Sequence, residues 1–159
     1  MVMESLRLIA FDEDDLKVLS AHLQDALVRM EDIAFLPKER RFAVVLKRFD
    51  WVAAAASNGS PDSFYERREA ALRFERVLGA QYRDLPLDGT GDAVTALLAV
   101  NFEAGDAPSG FIELIFAGGA AIRLKVECIE GELRDLGTVW RTLRKPEHPG
   151  GGDTPPSAS

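Results

Sequence analysis

Two histidines, one cysteine and 26 acidic residues are the groups in this 159-residue chain from which catalysis or metal binding could be built. His22 lies between Leu19 and Leu23, and would act as a general base only beside a nucleophile in space; the spacing instead predicts a partly exposed helical histidine. His148 sits among prolines and glycines that cannot hold a catalytic group in place. Cys128 continues the apolar phase of Ile122, Leu124 and Val126, which predicts an inert core thiol. Asp12-Glu13-Asp14-Asp15 carries enough carboxylate oxygen to ligate a hard cation, yet it lacks the glycine and distal glutamate of a calcium loop, and helix capping explains its charges. Gly89-Thr90-Gly91 and Gly118-Gly119 match no phosphate-loop pattern and read as turns. No catalytic, cofactor-binding or metal-binding residue is assigned on these grounds. Two weaker sets are left. Phe49, Trp51, Phe64 and Tyr65 bracket an alanine-rich loop and, with Arg67 and Arg68, form a candidate binding patch, although the edge of a core is the plainer assignment for the aromatics. Arg73, Glu113, Arg123 and Glu127 form a dispersed carboxylate and arginine set that an enzyme acting on a small metabolite would need on one sheet face.

The elements that position these groups follow from apolar spacing. Leu16, Leu19, Leu23 and Leu27 recur at helical intervals behind the acidic run, which predicts a helix over about 12–26 with Asp12 as its cap. Val28, Met30, Ile33, Phe35 and Leu36 then predict a strand, bulged along its length. Phe42, Val44 and Leu46 predict the next, and Pro37-Lys38-Glu39-Arg40 turns between them. Residues 53–62 and 85–92 read as loops. The segment 66–82 has helix-favouring composition, but Leu72, Phe74 and Val77 favour a strand. Leu98, Val100 and Phe102 alternate as another strand. Ile112, Leu114 and Phe116 face Ile122, Leu124 and Val126 across Gly118-Gly119 as a hairpin, with Arg123, Lys125 and Glu127 on its wet side. Trp140, with Leu136 and Leu143, is expected to cover the open end of the sheet.

Composition narrows the class. With 47% hydrophobic and 28% charged residues the chain has the balance of one globular domain, placed at 1–145, and the Pro/Gly/Ser-rich segment 146–159 reads as a disordered tail. No apolar run approaches the roughly 18 residues of a membrane span, and no signal peptide is visible. A formal net charge of −7 makes nucleic acid a poor partner, and a single cysteine fits a reducing, cytoplasmic setting.

Several stretches carry a resemblance: Leu6 to Asp12 leading into the acidic helix, Ala107-Pro108-Ser109-Gly110, Phe116 to Leu124, Val126 to Glu130, and Pro146-Glu147-His148-Pro149. On these the chain resembles the alphaproteobacterial family called domain of unknown function 2948 over almost its whole length. The resemblance implies no activity and transfers no site residues. The expected fold is α+β, an antiparallel, curved or barrel-like sheet of about six to seven strands with one N-terminal helix packed on it. The expected function is a small non-catalytic interaction or ligand-binding module that meets a protein or small molecule without a cofactor; homodimerisation is compatible with it. The alternative is the small-metabolite enzyme.

Overall fold

The computed structural model describes residues 5–50, 64–86 and 93–143. Its elements are β1 (Arg7–Ala10), α1 (Glu13–Leu23), β2 (Ala26–Leu36), β3 (Arg41–Phe49), β4 (Phe64–Phe74), β5 (Val77–Arg83), β6 (Val94–Ala104), β7 (Gly110–Phe116), β8 (Ala121–Val126) and β9 (Gly131–Leu143). The class is α+β, but among the described residues the sheet has nine antiparallel strands rather than six or seven. Its order is β1-β9-β4-β3-β2-β6-β7-β8-β5, a ladder left open between β1 and β5.

The ladder is nevertheless strongly curled, as chain length requires. β4 and β5 stand six places apart in the order, which on a flat sheet is about 29 Å at ~4.8 Å per strand. Only Glu75 and Arg76 join them, and three Cα steps span at most about 11 Å. Residues 127–130 carry β8 back to β9 across the same gap. These two connections bond to each other, Glu75 N–H donating to Glu130 O at 2.8 Å and Glu127 N–H to Arg76 O at 3.0 Å. Arg76, at φ 62, makes the corner.

The curl encloses a single core. Phe42, Val44 and Leu46 of β3 meet Leu72 and Phe74 of β4, Ile112, Leu114 and Phe116 of β7, and Ile122, Leu124 and Val126 of β8. Helix α1 adds Leu16, Leu19 and Leu23 from the inner side, packing on β6, β1 and β3, and Ser20 Oγ accepts Val100 N–H at 2.8 Å. Asp12 caps the helix through Asp15 N–H at 2.8 Å, while Asp15 accepts Phe11 N–H at 3.0 Å, the reciprocal arrangement expected from the acidic run. The helix stops at Leu23, short of 26, because Gln24 is extended and Asp25 turns at φ 66 to donate its N–H to Leu97 O. No helix among the described residues is long and apolar enough to cross a membrane.

Several local readings change. The segment 66–82 is strand, as two elements broken at the corner. Cys128 lies beyond the end of β8 and is half-buried, and Ile129 takes the core position. Leu98 is exposed because the β6–β7 register shifts between Leu97 and Ala99 and turns Leu97 inward instead. The loop at 53–62, most of that at 85–92 and the tail at 146–159 fall outside the described residues, as does the Trp140 side chain.

Candidate functional site

Strand pairing places residues far apart in sequence in shared rows on the outer face of β2, β3, β4, β9 and β1. Ala34, Ala43, Arg73, Glu132 and Ile9 lie side by side in one row. Val45, Ala71, Arg134 and Arg7 form the next. The irregularity in β2 between Val28 and Ile33 sets Asp32 at the β2 margin of this surface. Small side chains in the middle of both rows leave a groove of about 240 Å³. Ala34, Ala43, Val45 and Ala71 contribute its lining, Asp32 stands on one side, and Arg73, Glu132 and Arg134 stand on the other.

The charges at the β9 side are linked. Glu132 is gripped by Arg7 Nε at 2.6 Å and Arg73 Nη2 at 2.7 Å. Glu75 joins Arg73 Nε and Arg41 Nε, both at 2.9 Å. The Arg7 hydrogen bond holds the Glu132 carboxyl below its ordinary 4.5; partial burial opposes this, and the charges of Arg73, Arg7 and Arg134 reinforce it. Among the described residues, the side chains of Arg134 and Asp32 have neither an ion-pair nor a hydrogen-bond partner. The groove thus presents one uncommitted guanidinium and one uncommitted carboxylate on opposite sides of an alanine and valine floor.

A second polar assembly lies on the inner face. Arg48 and Asp50 continue the inward phase of Phe42, Val44 and Leu46, and are buried with Arg68 of β4 and Asp135 of β9. Arg48 meets Asp135 in a two-bond fork of 2.9 and 3.0 Å. It reaches there from two strands away, across Ala70, which pairs with Leu46 on one side and Asp135 on the other. Asp135 Oδ2 also accepts Leu6 N–H at 2.8 Å and so ties β1 to β9. Arg68 Nε donates to Asp50 Oδ2 at 2.8 Å. His22 faces this set. Burial first, then Arg48, pushes its imidazole below 6.5, against the pull of Asp50 and Asp135. Two arginines balance two aspartates here, which makes the assembly a satisfied internal brace.

The sequence-predicted patch is divided by the pleat. Arg67 faces outward, its guanidinium 5.5 Å from the centre of the Phe49 ring and Nη1 donating to Asp25 O at 3.5 Å. Arg68, one residue on, faces inward to Asp50. Phe64 and Tyr65 belong to β4, but their side chains, and all of Trp51, lie outside the described residues. The dispersed set comes together only in part. Arg123 lies over Phe111 at 4.0 Å and pairs with Glu103 and Glu113 on the β6–β8 surface. Glu127 pairs with Arg40 at 3.1 Å near the corner, and Arg73 joins the outer network. No group of three or more His, Cys, Asp or Glu side chains among the described residues is placed to hold a metal ion.

Sequence reasoning passed over Asp32, Arg48, Asp50, Glu132, Arg134 and Asp135. Extending the Phe42-Val44-Leu46 alternation by two further steps would have found Arg48 and Asp50. The outer residues carry no such signal, since register alone brings residue 32 opposite residue 134. Neither the curated proteins nor the solved structures contain a match to this chain. A family model described as "Protein of unknown function (DUF2948)" matches residues 6–148, and the chain belongs to that family.

Proposed function

We propose that this protein is a non-catalytic ligand-binding module whose site is the outer groove over β2, β3, β4 and β9. The observation that carries this reading is the pair of uncommitted charges, Asp32 and Arg134, set across a small apolar floor. Concave apolar sites with a few fixed polar groups are how small ligands are held. The volume of about 240 Å³ lies below the roughly 300–1,000 Å³ of sites for drug-sized molecules, so the ligand is small. Arg73 and Glu127 pair with other residues away from the Glu113–Arg123 pair, which weighs against the enzyme alternative. A lone cysteine, Cys128, supports a cytoplasmic setting.

Thermal unfolding in the presence of amino acids, dipeptides, dicarboxylates and sugar phosphates tests the reading. A ligand at about 100 times its dissociation constant adds roughly 2.7 kcal/mol, which for a chain of this size raises Tm by about 5–10 °C. Ala71→Phe, which fills the groove from the outer face, should abolish the rise. A panel that leaves Tm unmoved, or a rise that survives Ala71→Phe, contradicts it.

A further inference from the structure

We infer that the ligand of this groove is a small zwitterion, in the class of a dipeptide or another amino acid derivative. The inference rests on the ligand-binding reading and adds the chemistry of the occupant. At the β9 side the guanidiniums of Arg7, Arg73 and Arg134 share Glu132, whose two oxygens are taken by Arg7 and Arg73, while Glu75 is shared between Arg73 and Arg41. Arg7 and Arg134 are directly opposed across β1 and β9, a like-charge pairing that disfavours the sheet unless an anion lies near. Glu132 bonds Arg7 and Arg73 and is felt by Arg134 only through its field, so Arg134 has no bonded anion. A carboxylate from the ligand supplies it, and an arginine fork suits a carboxylate by shape as well as charge. Across the floor the single charged group is Asp32, which calls for a cation.

The spacing makes a dipeptide a suitable probe. From β2 to β9 the surface crosses β3 and β4, three strand steps, or about 14 Å between backbones. A dipeptide spans about 7 Å, and a charge-assisted hydrogen bond of about 2.8 Å at each end brings the reach close to that separation, so modest extension of the two side chains closes it.

The test is calorimetric titration of the full chain with alanyl-alanine, its N-acetyl form and its C-terminal amide, using wild type, Asp32→Asn, Arg134→Gln and Ala71→Phe, each first shown to unfold cooperatively; Ala43→Phe replaces Ala71→Phe if the latter does not fold. Wild type should bind alanyl-alanine, and blocking either end should weaken binding by roughly tenfold or more. Arg134→Gln should no longer distinguish the amide from the free acid, and Asp32→Asn should no longer distinguish the acetylated amine. If all three probes bind wild type equally and the groove-filled variant binds none, the zwitterion inference is overturned while the groove remains a binding site. If no probe binds although another compound in the thermal panel does, the inference again falls alone. Binding that persists in the groove-filled variant overturns both.

Discussion

Replacing Arg48 with methionine should be among the most destabilising changes outside the apolar core. The side chains of Arg48 and Asp135 are 5% and 3% exposed, so solvent screens their pairing very little, and the two bonds between them are of ordinary length. Methionine keeps the apolar stem but removes the guanidinium, leaving Asp135 a buried carboxylate with Leu6 N–H as its remaining donor. Breaking one side of a buried pair costs about 3–5 kcal/mol, or a Tm drop of roughly 6–20 °C for a chain of this size. Arg48→Met/Asp135→Leu removes both charges and should recover most of that loss, retaining a deficit of about 1 kcal/mol for the Leu6 hydrogen bond. Urea unfolding with linear extrapolation measures all three proteins. A single variant that loses less than about 1 kcal/mol, or a double variant less stable than the single, would refute the view that this fork is a mutually dependent brace. The same substitution removes a charge that depresses His22, so its imidazole should titrate at higher pH when followed by proton NMR.

Other outcomes follow from the same geometry. The folded state prefers His22 neutral, so the unfolded chain takes up its proton first; stability should fall as pH drops below 6.5, and His22→Gln should flatten that part of the curve. Glu132 acts lower on the scale. Its folded carboxyl is held below 4.5, so its contribution is complete above that value and is lost as pH falls through the depressed folded one, a step that Glu132→Gln should remove from an acid titration of stability. Gly110→Ala would set a methyl group 2.5 Å from both Glu103 O and the Phe102 ring; since one of these is backbone, denaturant melts should show a loss of about 1–3 kcal/mol. Asp12→Ala removes the N-cap of α1 and should cost about 1 kcal/mol in the same assay.

The parts of the fold that could be read from the sequence are those where apolar residues alternate or recur without interruption. Helix α1 announces itself through Leu16, Leu19 and Leu23 behind a capping acid, and the β7–β8 hairpin through two alternating arms around paired glycines. β9 was invisible for a physical reason: its inward positions are Gly131, Leu133 and Asp135, so only one of the three carries a large apolar group. β4 has helix-favouring residues on its outer side, Glu69, Ala71 and Arg73, and is a strand because β3 and β9 pair with it on both sides. The corner at Arg76, which separates β4 from β5, depends on where β8 returns, a long-range condition. The candidate groove is harder still to foresee. Its two uncommitted charges reach one groove only through three successive strand pairings, and neither Asp32 nor Arg134 differs in type or local spacing from the surface charges around it.

Ligand contact with the outer face can be mapped directly by titrating isotope-labelled protein with alanyl-alanine and following backbone amide shifts. The perturbed amides should cluster at residues 32–34, 43–45, 71–73 and 132–134, and Arg134→Gln should diminish the response. No response, or one centred instead on the Phe49 and Arg67 end of the sheet, would contradict the proposed site.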